Sequence, residues 1–479
     1  MVTMCGFVSI IGETPATPSL MLGLQSLQHR GQDAAGMATS SEGRFHIFKD
    51  LGLVTQALPP AVLDTLIGNA GIAHVRYPTA GVKATAEDAQ PFLTRRPGIL
   101  LAHNGNVTNI PQLKSELREA GVYTLSACDA EPILLLLGNA LNRIRPTHHT
   151  AADLAQSVRE VYDRVRGGYS VVGLMEIDDQ PTLFAFRDPH GIRPGVYGQR
   201  SDGAWVVASE SVALDVLGIE KTDDLPVGSV MLLRPGQPPV FIEITEPDPR
   251  HCVFERIYFA RPDSRMEDGR VNRARWRLGR RLAQEWRAKG LEADVVVAVP
   301  DTSRPAAQAI SEELDIRHRE GFIKNRYSGR TFIMPDQQTR NAALRLKLNP
   351  IREIFEGKRV LLIDDSIVRG NTMRRIVTMV KDLNPAAIHV GIFSPAVRHP
   401  CFYGIDMPTR EELIAAPWSP EDSDRAAAEY LGVDSVTFLS HEGLSAVFGE
   451  KICAACFTGD YIVPVSEDER AAIRSERRG

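Results

Sequence analysis

The chain lacks any apolar run near the ~20 residues that a membrane span requires. Its richest stretch, Ile133–Leu137, is short and soon meets Asn139 and Arg143. It lacks an excess of positive charge: 55 Lys and Arg against 60 Asp and Glu leave a net −5. No overall basic field is therefore present to collect nucleic acid. It lacks internal repeats and low-complexity tracts. The first residues, Met-Val-Thr-Met-Cys, lack the basic segment and apolar core of a secretory signal, so a cytoplasmic protein is expected. Cysteine is scarce, with six residues in 479. In a long chain in a reducing compartment these are not expected to form disulfides, which leaves metal binding or nucleophilic chemistry for some of them.

What is present is ordinary globular composition, 43% hydrophobic and 24% charged, at a length that implies two or more domains. Short strand-like runs at Cys5–Gly12, Ala35–Thr39, Gly71–Val75, Ile99–His103, Ser170–Met175 and Leu183–Arg187 mix with helical stretches at Leu22–Leu27, Ile110–Ala120 and Ala130–Arg143. This mixture predicts an α+β domain of sheet on sheet with helices outside. The proline-rich stretches Pro235–Pro239 and Pro247–Pro249 mark a composition break, with a domain boundary near them. Beyond it the rhythm becomes strand–helix alternation: a helix over Asn272–Lys289, strands at Asp294–Val299, Arg359–Ile363 and Ile388–Phe393, and a basic loop at Lys324–Arg345. That pattern predicts a parallel sheet with its ligand at the carboxyl ends of the strands. The highly charged Ser466–Gly479 reads as a tail or frayed helix.

The stretch Val360–Thr372, Val-Leu-Leu-Ile-Asp-Asp-Ser-Ile-Val-Arg-Gly-Asn-Thr, reads as a strand, a polar loop and a helix start. Free backbone N–H groups and the positive end of a helix dipole converge at such a turn and favour an anion. Asp364 and Asp365 would repel a phosphate. They are expected to face another part of the same ligand, either sugar hydroxyls or a divalent metal.

The Val360–Thr372 run resembles the signature with which phosphoribosyltransferases bind 5-phosphoribosyl-1-pyrophosphate. The resemblance implies that Asp364, Asp365, Ser366, Ile367, Val368, Arg369, Gly370, Asn371 and Thr372 form the ribose-phosphate loop. Pro300-Asp301-Thr302-Ser303 is similar to the family's pyrophosphate loop. Lys324–Ile333, with Lys324 and Arg330, is similar to its mobile flap, although Ser328 stands where family members usually carry Val. Mg²⁺ is implied near Thr302, Asp364 and Asp365.

At the other end, Cys5-Gly-Phe-Val, Leu27–Asp33, His74-Val-Arg-Tyr77, His103-Asn-Gly-Asn106 and Asp129 together resemble the N-terminal-nucleophile glutamine amidotransferases. A cysteine at a processed N-terminus carries its own base, an α-amine of pKa ~7.7–8.0 against ~8.5 for the thiol. The resemblance implies Cys5 as nucleophile, the Asn104 side chain and Gly105 N–H as oxyanion donors, and Arg30, Arg76 and Asp129 as further glutamine-site residues. Arg76 would clamp the substrate α-carboxylate and Asp129 its α-ammonium. Cys5 is not residue 1, so this chemistry requires loss of Met1–Met4, by initiation at Met4 with methionine removal or by cleavage of a short propeptide. Cys128 is expected to be a packing residue.

Both halves together resemble the glutamine phosphoribosylpyrophosphate amidotransferase family over nearly the whole chain, including Phe254–Ser264 and Phe402–Asp406. This implies a four-layer αββα N-terminal-nucleophile glutaminase sandwich at 5–245, an α/β phosphoribosyltransferase domain with a parallel sheet at 246–465, and a charged tail at 466–479. It further implies release of ammonia from glutamine, its internal passage to the second site, and formation of 5-phosphoribosylamine in the first step of purine (IMP) synthesis. AMP and GMP are the implied inhibitors and a homotetramer the implied assembly. Cys453-Ala-Ala-Cys456, with Cys252 and Cys401, could hold tetrahedral zinc by spacing alone. Their contexts resemble the subgroup that binds a 4Fe–4S cluster. An amidotransferase making an amino sugar or asparagine would lack the Asp364–Thr372 loop. A phosphoribosylpyrophosphate-sensing regulator would need a nucleic-acid-binding module, and none is visible.

Overall fold

Strand Gly6–Ile11 shows how the N-terminal half is built. Successive side chains of a strand point to opposite faces. Phe7 and Ile11 enter the core between two sheets, while Val8 and Ile10 pack beneath a helix. The computed structural model describes residues 4–77, 85–267, 269–325 and 348–478. Within them this strand is central in a seven-stranded antiparallel sheet. The spatial order is Thr222–Asp224, Val196–Gln199, Trp205–Ala208, Gly6–Ile11, Ala70–Arg76, Ala34–Ser41, Arg44–Leu51. A six-stranded antiparallel sheet faces it, in the order Val240–Glu243, Ser229–Leu233, Gln180–Arg187, Gly167–Ile177, Gly98–Val107, Phe92–Arg95.

Helix Thr17–Ser26 buries Leu20 and Leu24 on the outer face of the first sheet. Helices Ile110–Glu119, Ala130–Ile144 and Ala151–Arg164 bury Leu113, Leu137 and Val158 on the outer face of the second. The last of these was not foreseen from sequence. Its start is fixed locally by a capping box, in which Thr150 and Asp153 satisfy each other's backbone N–H groups. The first proline-rich stretch, Pro235–Pro239, is the turn of the hairpin Ser229–Leu233 and Val240–Glu243, so the sheet continues through it. Regular structure stops only after Glu243.

The C-terminal half holds a four-stranded parallel sheet in the order Val295–Ala298, Arg359–Asp364, Ala387–Ile392, Ser435–Phe438. Its strands read as continuous apolar runs because both faces are covered. Val296 and Ala298 pack on Leu278, Leu282 and Ile310 of helices Val271–Ala288 and Arg304–Leu314. Val295 and Val297 join the core containing Ile376 and Val377 of helix Asn371–Lys381. The loops after Ala298 and Asp364 leave adjacent strands and therefore lie side by side.

Residues Glu467–Arg478, expected as a tail or frayed helix, form a helix. Ile473 is buried in the core that also holds Cys252 and Cys456, and Glu469 pairs with Arg166 at 2.6 Å. High charge density masked a single apolar anchor there. No helix among the described residues is long and apolar enough to cross a membrane.

Candidate active site

Cys5 immediately precedes Gly6, which pairs with Val75 of the strand ending in Arg76. Burial pushes the Cys5 thiol up, while a Tyr77 N–H bond and the Arg76 charge act downward. Arg76 is buried, and among the described residues its Nη1 has no hydrogen-bond partner. Asp88 Oδ2 stands 4.0 Å away. Asn104 lies on strand Gly98–Val107, fully buried, with both side-chain polar atoms unpartnered among the described residues. Buried amides are normally bonded, so an amide left idle is available to a ligand. Gly105 has no room for a side chain, since a Cβ would stand 2.2 Å from the Gly168 carbonyl oxygen.

The neighbouring histidine is locked. His103 donates its backbone N–H to Gln90 Oε1 at 2.7 Å, and its Nδ1 meets Gln90 Nε2 at 3.1 Å. If that amide donates to Nδ1, Nε2 carries the ring proton and donates it to Asp129 Oδ2 at 3.1 Å. The Val107 N–H adds a 3.0 Å bond to the same oxygen. Burial works to raise Asp129, but His103 and these donors hold it below the usual carboxylate value, so it stays anionic. Burial and His103 push His74 down to about 3, so that ring is neutral. Burial pushes the Cys128 thiol far up beside Asp129, which fits packing rather than nucleophilic attack.

Arg30, expected from the resemblance among the glutamine-site residues, is turned inward. It is fully buried; Nε donates to the Cys5 carbonyl at 3.0 Å, and the other nitrogens bond Glu210 and, at 2.7 Å, Glu255. It holds the Cys5 backbone from within the protein. Glu210 also accepts from Ser264 Oγ at 2.6 Å and the Arg261 N–H at 3.1 Å, and pairs with His29 at 2.7 Å. Burial would raise Glu210, yet His29 and Arg30 keep it well below the usual range. Removing one partner of a buried pair strands the other. Glu210→Ala is therefore expected to destabilise the protein by about 3–5 kcal/mol, read as a lowered denaturation midpoint. A surface ion pair of the same length would shift it little.

At the second site Ser303 Oγ donates to Asp364 Oδ1 at 3.1 Å, joining the two adjacent loops. The Asp365 N–H donates to the same oxygen at 3.0 Å, and Ser366 Oγ donates to Asp365 Oδ1 at 2.6 Å. Burial and the Asp365 charge push Asp364 well up. Burial pushes Asp365 up to about 6, opposed by Ser366 and Arg275. Two adjacent carboxylates, Asp365 buried and Asp364 half-buried, bonded by hydroxyl and amide donors, repel each other, and a divalent cation relieves that repulsion.

Gly370 caps helix Asn371–Lys381 at φ 71°, a left-handed conformation suited to glycine, and a Cβ there would stand 2.7 Å from the Tyr430 ring. Asn371 and Thr372 are exposed at the helix start, Thr302 is half-buried, and Arg369 pairs with Glu412 at 2.9 Å. The Ile367 side chain is buried in the core and Val368 is half-buried. Ile367 is thus left only its backbone to offer a ligand. Asp301 is exposed and paired with Lys324 at 2.7 Å. Arg330 and most of the expected flap lie outside the described residues.

Cys252, Cys401, Cys453 and Cys456 are all buried. Cys252 sits opposite Cys453 in a two-residue parallel ladder, and the Tyr403 N–H points at Cys401 Sγ, 3.4 Å away. The other three thiols lie close enough to act electrostatically on Cys456. Among the described residues, no three His, Cys, Asp or Glu side chains converge in a way that could hold a metal ion.

Two family models match the chain: a glutamine amidotransferase domain over residues 77–216 and a phosphoribosyl transferase domain over 271–400. The amidophosphoribosyltransferase of Pseudomonas aeruginosa is 42% identical, covering 96% of this chain and 93% of that protein. This chain belongs to the amidophosphoribosyltransferase family. The family member from Methanothermobacter thermautotrophicus is 40% identical over 98% of this chain and 97% of its own length. The solved glutamine phosphoribosylpyrophosphate amidotransferase from B. subtilis, complexed with ADP and GMP, superposes with a TM-score of 0.85 at 37% identity, covering 97% of this chain and 98% of that one. A solved allosteric regulatory enzyme of purine biosynthesis gives 0.87 at 37% identity, covering 98% and 99%.

Sequence motifs did not reveal Gln90, Glu210 or Glu255. Glu210 and Glu255 meet Arg30 across 180 and 225 positions, and Gln90 meets His103 13 positions away, so no motif assigned a partner to any of the three.

Proposed function

We propose that this chain transfers the amide nitrogen of glutamine to 5-phosphoribosyl-1-pyrophosphate, forming 5-phosphoribosylamine, pyrophosphate and glutamate, the first step of purine synthesis. The observation that carries the reading is a pair of unsatisfied groups in the half that holds Cys5: the Arg76 Nη1, whose charge acts on the Cys5 thiol, and the Asn104 amide, both buried and both without partners among the described residues. They match a carboxylate and an oxyanion, the two acceptors that glutamine presents during hydrolysis.

The mature chain begins at Cys5, whose free α-amine takes the thiol proton. The thiolate attacks the amide carbon, and Asn104 Nδ2 and the Gly105 N–H receive the oxyanion. The proton passes to the departing nitrogen, ammonia leaves, and water hydrolyses the thioester to glutamate. Arg76 and Asp129 hold the substrate α-groups. Ammonia passes internally to the second site and attacks C1 of the ribose as pyrophosphate departs. The N-terminus of helix Asn371–Lys381 and its loop, Ser366 to Thr372, hold the ribose phosphate. Asp301, Thr302 and Ser303 take the pyrophosphate, with Lys324 and Arg330 closing over it. Mg²⁺ near Thr302, Asp364 and Asp365 would neutralise pyrophosphate charge when bound, and the adjacent carboxylates, with Asp365 buried, fit it.

A 4Fe–4S cluster held by Cys252, Cys401, Cys453 and Cys456 is part of this proposal. Four buried thiols and an N–H aimed at one sulfur fit such a group. The ligands of a cubane stand farther apart than those of one ion, so the absence of a single-ion site among the described residues does not count against it. Its role is structural, tying Cys252 at the junction to the C-terminal segment. Purified protein is expected to be brown and to contain iron and inorganic sulfide in equal amounts, and Cys456→Ser to lose both. Zinc without sulfide would replace the cluster with a tetrahedral site. A cytoplasmic homotetramer inhibited by AMP and GMP completes the proposal.

The reading is tested with an electrophilic diazoketone analogue of glutamine, followed by peptide mass spectrometry. One adduct on a peptide that begins at Cys5 is expected. Labelling elsewhere, or active protein that retains Met4, overturns the N-terminal-amine mechanism.

A further inference from the structure

The oxyanion strand is braced by the other half of the chain. Phe402, Tyr403 and Gly404 follow Cys401 and run against strand Gly98–Val107. Asn106 Nδ2 donates to the Phe402 carbonyl at 2.9 Å. Gly404 has φ 106°, and a Cβ there would stand 2.9, 3.0 and 3.2 Å from the Gly105 carbonyl carbon, Cα and oxygen. Gly168, which pairs with Asn106, lies under Tyr403, so that a Cβ on Gly168 would stand 2.8 Å from the Tyr403 Cβ.

The brace is itself fixed. Tyr403 is 1% exposed; its hydroxyl donates to the Val463 carbonyl at 2.8 Å and accepts the Val463 N–H at 3.0 Å. Its own N–H points at Cys401 Sγ. The backbone around Gly105 is thus set on one side by its sheet neighbours and on the other by a strap from the phosphoribosyl half.

We propose that Phe402–Gly404 is a positioning element for glutamine hydrolysis, holding Gly105 and Asn106 so that the oxyanion donors keep their aim. The inference rests on the glutaminase reading above. Catalytic groups need placement within about 0.5 Å, and a methyl at Gly404 would displace Gly105 by a comparable distance. Among the described residues, the strap's hydrogen bonds go to Asn106, Cys401 and Val463, none of them assigned to the ribose or pyrophosphate. It should therefore affect the glutamine half-reaction selectively, and kcat more than KM, because Arg76 and Asp129 hold the substrate α-groups independently.

The test compares Gly404→Ala and Asn106→Ala with wild type in glutamine-dependent and ammonia-dependent pyrophosphate release. Loss of one oxyanion donor costs about 10²–10³ in kcat, so Gly404→Ala is expected to lower glutamine-dependent kcat by about 10–100-fold. KM for glutamine and the ammonia-dependent rate should stay within about threefold of wild type by the same argument. Asn106→Ala adds no bulk and should move the same parameter in the same direction by a smaller factor. If Gly404→Ala fails to fold, Asn106→Ala decides alone. A glutamine-dependent kcat within twofold of wild type, or equal loss of both activities in folded protein, overturns the inference. Cys5→Ala separates the two levels. If it leaves glutamine use intact, the glutaminase reading fails. If it abolishes glutamine use while the strap variants are silent, only the strap fails.

Discussion

Cys5→Ala is expected to lower glutamine-dependent product formation by a factor of about 10³ or more, while ammonia-dependent formation survives. The size of the effect follows from chemistry. In the proposed mechanism the thiol forms the covalent intermediate, so without it Asn104 and Gly105 have no tetrahedral centre to stabilise. The survival of the second activity follows from structure. Cys5 opens the antiparallel sandwich, whereas the carboxylate pair sits at the end of strand Arg359–Asp364 in the parallel sheet. Parallel assays with glutamine and with ammonium salt check both parts. Loss of both activities in a folded variant would mean that the two sites are not chemically separate.

Asp365→Asn is expected to do the opposite and abolish transfer from either nitrogen source. Neutralising one carboxylate removes charge that would hold a divalent cation and bond ribose hydroxyls. Each 1.36 kcal/mol of lost stabilisation is tenfold in rate, and metal-assisted charge stabilisation is worth several, so a loss of at least about a hundredfold is expected. Folding should not suffer. The substitution removes repulsion from Asp364 and keeps the side-chain shape, so the thermal midpoint should match or exceed that of wild type. Retained ammonia-dependent activity would show that the pair does not serve the transfer.

The two ends of the chain were legible because their chemistry is local. The Val360–Thr372 run carries strand, loop and helix start in consecutive residues, and the structure forms all three with Gly370 at the cap. The short apolar run from Cys5 to Gly12 was likewise enough to place a buried strand, observed at Gly6–Ile11. The parts not legible are tertiary. Arg30 could not be seen to point inward, because Glu210 and Glu255, which turn it, lie 180 and 225 positions away. The contact of Gly404 with Gly105 joins two glycines that carry no pattern between them. The C-terminal helix was read from its charges, whereas Ile473 docks it.

The central claim is that one chain makes ammonia at Cys5 and uses it at Asp364–Thr372. The most direct measurement supplies purified protein with 5-phosphoribosyl-1-pyrophosphate and glutamine labelled with ¹⁵N at the amide, following label and pyrophosphate together. Labelled 5-phosphoribosylamine is expected to form in step with pyrophosphate and glutamate, and none when either substrate is omitted. Glutamate released without pyrophosphate, or pyrophosphate released without label in the product, would contradict it.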